Sequence, residues 1–149
     1  MEKIAPGAFS KSLSDVGLLW SHDHDRPLAR TTSRSLTLRD QGRMGLWFSA
    51  DLDPSNPDAA LALSSIGRRE TVGRSFGFRP TKENWLEPED YNALPERTIL
   101  EAELFEISAV IRPAYPQSYV DVMRSDNAAN ARRRLIEKME REHKLRGIR

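Results

Sequence analysis

The chain contains no cysteine in its 149 residues. That absence removes disulfides, thiol nucleophiles and cysteine-based zinc sites together, and it suits a reducing compartment. Long apolar runs are missing as well. No stretch approaches the roughly 20 apolar residues that a membrane-spanning helix requires. The start, Met1-Glu2-Lys3-Ile4-Ala5-Pro6, has no apolar core of a signal peptide. No glycine loop lies between an apolar strand and a helix to cradle phosphate. There is no internal repeat and no low-complexity block. The expectation is a cytoplasmic protein without a membrane partner.

What is present is the balance of a globular domain, with 38% hydrophobic and 30% charged residues and a net charge of +1. That small net charge hides an asymmetry. Residues 127–149 hold eight Lys/Arg against three Glu, whereas residues 1–126 hold 15 basic and 19 acidic groups. A mildly acidic body with a basic tail results. The cluster Arg132-Arg133-Arg134 could meet phosphate non-specifically. Without interleaved aromatics or a basic body, a solvated helix face is the plainer account, and nucleic acid is not expected as a partner.

Residues 16–20, 35–39, 45–52, 71–78 and 98–111 read as strands. They are short, rich in β-branched, aromatic and leucine residues, and bounded by turn formers. Asp40-Gln41-Gly42-Arg43 reads as a turn. A helix follows Asn56 as N-cap, with Pro57 at its first position and Ala59, Leu63 and Ile66 at helical spacing. A second helix is expected over 128–145, and residues 79–97, with Pro80, Pro88 and Pro95, read as a long loop. The fold class is mainly β (α+β): a small antiparallel β-barrel core flanked by helices. Two regions follow, a domain over 1–124 and a basic helical tail over 125–149.

Three stretches carry candidate chemistry. In Gly73-Arg74-Ser75-Phe76-Gly77-Phe78, Phe76 and Phe78 share a parity with Val72 and should face inward, leaving Ser75 facing out between two glycines. Glycines there leave room for another backbone, such as a peptide, to approach. A polar residue on a solvated strand face accounts for the same pattern. The spacing Gly73-x-Ser75-x-Gly77 also matches a nucleophile elbow, but Phe78-Arg79-Pro80 is a poor helix start and the only histidine after it is His143. His22 ends the run Leu18-Leu19-Trp20-Ser21, where a strand would aim an imidazole into a cleft as a general base. The run His22-Asp23-His24-Asp25 allows a metal alternative through alternate side chains, and a charged turn is the plain account. Glu106, in Leu104-Phe105-Glu106-Ile107-Ser108-Ala109-Val110, lies where apolar parity switches. A bulge near Leu104–Glu106 would reconcile the two halves and re-aim the carboxylate towards His22. Otherwise it faces solvent, as Glu101 and Glu103 are expected to. Histidine, serine and glutamate are the parts of a serine-hydrolase triad.

In order along the chain, these stretches resemble the prohead proteases of tailed bacteriophages, a family related to the herpesvirus assemblins. The resemblance runs through Ile4-Ala5-Pro6-Gly7-Ala8-Phe9, Leu18-Leu19-Trp20-Ser21-His22-Asp23, Pro27-Leu28-Ala29-Arg30 and Gly45-Leu46-Trp47-Phe48. It continues through Val72–Phe78, Leu104–Val110 and Pro113-Ala114-Tyr115-Pro116. It implies a β-barrel protease with no metal or organic cofactor, with Ser75 as nucleophile, His22 as general base and Glu106 as third member. It implies coat and scaffolding proteins, and the enzyme itself, as substrates inside the assembling procapsid of a bacterial host. Relatives carry a strand or more ahead of Pro-Gly-Ala-Phe, so the five residues before Pro6 imply a missing edge strand or a start placed late. The rival class is a non-catalytic capsid-assembly or scaffold-binding module whose tail helix docks on coat or scaffold.

Overall fold

The computed structural model of the chain describes residues 2–88 and 94–114. The expected basic helix and the 125–149 tail lie outside the described residues. Seven strands form: β1 (Glu2–Ile4), β2 (Gly17–Trp20), β3 (Asp23–Arg30), β4 (Leu36–Asp40), β5 (Leu46–Ala50), β6 (Gly73–Leu86) and β7 (Glu96–Val110). One helix, α1 (Pro57–Gly67), and a 3-10 turn at Gly42–Met44 complete the set among the described residues.

β7 is the spine. On one edge it pairs in parallel with β1, from Glu2↔Arg97 to Ile4↔Ile99, and then with β2, from Gly17↔Glu106 to Trp20↔Ala109. On the other edge β6 runs antiparallel to it, from Gly73↔Val110 to Leu86↔Glu96. β3 folds back on β2 to finish a five-stranded sheet, while β4 and β5 pair only with each other.

The expected barrel does not form. A barrel needs every strand bonded on both edges. Among the described residues, β3 and β6 each have one unpaired edge, and β4–β5 are a separate ribbon. The sheet is also mixed rather than purely antiparallel, because β7 takes two parallel neighbours.

Within the range 79–97 read as a loop, residues 79–86 and 96–97 are strand, since β6 runs on to Leu86 and β7 starts at Glu96. Pro80 is tolerated because β6 is an edge strand and its register slips between Pro80 and Lys82. β3 escapes a pattern search for the same reason: charged residues and Pro27 occupy an edge strand with an irregular register. The five residues ahead of Pro6 supply the short strand β1.

The apolar periods that were legible in the sequence do form the core. Asn56 caps α1 by accepting the Asp58 N–H at 3.0 Å, and Pro57 opens the helix. Ala59 and Ile66 lie on the buried stripe of α1 as expected, with Ala62 between them, whereas Leu63, expected there too, is only half-buried. Phe76 and Phe78 pack edge-on against Phe9, with centroids 5.5 and 5.7 Å away. Val72, expected on the same face, stands before the strand begins and is exposed. Ile99, Leu104 and Ile107 of β7 are essentially fully buried, each stabilising the fold by about 1.5–3 kcal/mol.

The parity switch in β7 is a bulge. Gly77 pairs with Glu106 and Phe78 with Leu104, so Phe105 is the extra residue. Leu104 and Ile107 thereby share the core face, and Glu106 and Ser108 turn to the opposite one. That face carries the site.

Candidate active site

His22 sits in the tightest turn of the sheet. Trp20 pairs with Asp23, so Ser21 and His22 are the two loop residues of the β2–β3 hairpin. Both have positive φ, 54° and 63°, as a type I′ turn requires. Asn-Gly is the usual occupant, and a bulky non-glycine residue there costs about 1–2 kcal/mol. Two hydrogen bonds from β7 offset that strain: Ser21 N–H donates to the Ala109 carbonyl at 3.1 Å, and His22 N–H donates to Ser108 Oγ at 3.0 Å. Strain held in place by its surroundings is typical of functional positions.

From this turn the imidazole reaches back over the sheet, with Nδ1 2.7 Å from Glu106 Oε1. The His22 side chain is 46% exposed and that of Glu106 6%. A carboxylate only accepts, so Nδ1 is the donor, and in the neutral imidazole Nε2 then carries the lone pair. The other carboxylate oxygen, Oε2, accepts the Ser108 hydroxyl at 2.6 Å. Glu106 is thus buried with both oxygens bonded, whereas Glu101 and Glu103 pair at the surface with Lys11 and Arg79.

Ser75 lies one strand over on the same face, directly across from Ser108. The expected parity holds, with Ser75 on the face opposite Phe76, but the expected solvation does not: Ser75 is 6% exposed. Its flanking glycines explain this. A Cβ on Gly77 would stand 2.7 Å from Glu106 Oε1, and one on Gly73 would stand 2.5 Å from Pro113 Cδ. The room they leave is filled by the Glu106 carboxylate and the Pro113 ring, not kept for a passing peptide. Ser75 and His22 are not hydrogen-bonded to each other among the described residues.

Beyond Glu106 a groove of about 480 Å³ opens over β2 and β3, lined by Gly17, Leu19, His24, Pro27, Phe105 and Glu106 among others. His24 belongs to this groove, and it is His22 that meets Glu106. At the rim Arg30 donates to Asp15, and that hydrogen bond holds the Asp15 carboxyl below its ordinary range. Arg112 is exposed.

Ser108 is the residue that reading the sequence missed. The signal was available, because Glu106-x-Ser108 is a period-two pair on one strand face.

A family model described as caudovirus prohead serine protease matches residues 1–133 of the chain. No curated protein and no solved structure matches it.

Proposed function

The chain belongs to the caudovirus prohead serine protease family, and on that premise we propose that it is a serine endopeptidase using Ser75, His22 and Glu106. Its substrates are phage coat and scaffolding proteins, and its own chain, cut during procapsid maturation in the cytoplasm of the bacterial host. The observation that carries the reading is the His22 Nδ1–Glu106 Oε1 contact at 2.7 Å, on the face that also bears Ser75.

The chemistry follows from that contact. Glu106 holds Nδ1–H, so Nε2 is the base. As Ser75 Oγ attacks the scissile carbonyl, its proton passes to Nε2, and backbone N–H groups stabilise the oxyanion. The imidazolium, stabilised by Glu106, then protonates the leaving amine to give an acyl-enzyme. A water repeats the cycle, giving its proton to Nε2 and releasing the acid. Ser108 is a poor rival nucleophile because it is fully buried and its proton is committed to Glu106.

The test is intact mass after co-expression with the cognate coat protein. The wild type should truncate coat, and Ser75→Ala should lower turnover by roughly 10⁴–10⁶-fold. Near-wild-type cleavage by folded Ser75→Ala would sink the assignment. Uncut coat in both samples would favour a non-catalytic assembly module.

A further inference from the structure

A buried hydroxyl on a central strand is costly unless it is hydrogen-bonded. Ser108 has no exposed surface, and its hydroxyl is spent on two residues that lie 86 and 2 positions away. It accepts the His22 backbone N–H and donates to Glu106 Oε2. The direction is forced, because an amide can only donate and a carboxylate can only accept.

We infer that Ser108 is a positioning residue that sets both the place of His22 and its tautomer. By holding Oε2, it anchors the carboxylate with Oε1 towards the ring, because a swing away would break the Ser108 bond. By taking the His22 N–H, it holds the residue at φ 63°, a conformation that histidine adopts unwillingly. The same hydroxyl therefore fixes the donor side of the ring and leaves Nε2 as the nitrogen available to act as base. Support of this kind separates a site that is present from one that is aligned. The inference rests on the proteolytic reading for its kinetic consequence, but not for its structural one.

The experiment compares wild type, Ser108→Ala, Ser108→Thr and Ser75→Ala. Steady-state kinetics on a coat-derived peptide are read beside the ¹⁵N spectrum of the His22 ring in the substrate-free protein. Ser108→Ala should lose roughly 10–100-fold in kcat, the scale of a sub-ångström misplacement, with KM within about two-fold. Its His22 ring should shift from a single Nδ1–H form to a mixture of tautomers. Ser108→Thr, which keeps the hydroxyl, should restore the single form. A folded Ser108→Ala protein with wild-type kcat and an unchanged ring spectrum overturns the inference. If cleavage persists in Ser75→Ala, the proteolytic reading fails, and the ring spectrum of Ser108→Ala alone still decides whether Ser108 sets the tautomer.

Discussion

Gly77→Ala probes the site through a residue that takes no part in the chemistry. Its Cβ would stand 2.7 Å from Glu106 Oε1, 3.2 Å from Cγ and 3.3 Å from Cδ. Reaching ordinary contact at 3.4 Å requires the oxygen to retreat by about 0.7 Å. A free glutamate would swing aside at little cost. This one is tied at Oε1 to His22, at 2.7 Å, and at Oε2 to Ser108, at 2.6 Å. A retreat directed away from the ring would stretch the His22 bond to about 3.4 Å, beyond the range of about 2.7–3.2 Å in which N–H···O bonds are effective. A misplacement of that size costs about 10²-fold in rate, or about 2.7 kcal/mol in the barrier. Stability should change less. Overpacking costs about 1–3 kcal/mol, and replacing a strand glycine recovers about 0.5–1 kcal/mol, leaving a net loss near 1 kcal/mol. Cleavage of a coat-derived peptide and a thermal melt measure the two effects side by side. A Gly77→Ala protein that melts within a few degrees of wild type and keeps kcat within about three-fold would refute the claim that this glycine exists to house the carboxylate.

Two predictions concern the scaffold. Asn56→Ala removes the side chain that accepts the Asp58 N–H, so calorimetry should show about 1 kcal/mol less stability; an unchanged melt would deny the cap its role. Glu83 accepts from Trp85 Nε1 at 3.0 Å and from Arg97, and these bonds, Trp85 first, hold its carboxyl below the ordinary glutamate range. Trp85→Phe should therefore move the Glu83 titration upward in carboxyl ¹³C NMR, and a fixed midpoint would contradict the assigned cause. The wild-type interaction supports the fold above the ordinary carboxylate range and is lost as pH falls through the depressed value. Because the pair is exposed, its effect on the melt should be slight.

Much of the local architecture was legible because it is encoded over a few residues. The helix start at Asn56-Pro57, the inward parity of Phe76 and Phe78 and the bulge at Phe105 each follow from periodicity or capping chemistry. Rules of the same range misled where context overruled them. Pro80 signals a loop, yet it sits in an edge strand, where proline is tolerated. The expected barrel failed similarly, since closure depends on which edges meet and no local pattern specifies that.

Which residue types were on offer could be read along the chain: a histidine after a strand, a serine between glycines, and a glutamate where parity breaks. What each one touches came from the folded sheet. His22 and Glu106 lie 84 residues apart and meet because β2 lies parallel to β7 in a single register. The room beside Ser75 is taken by Glu106 and Pro113, and Ser108 became part of the site through a turn that passes over it. Propensity and periodicity act over one or two turns of chain, whereas register between distant strands is set by the packing of the whole sheet.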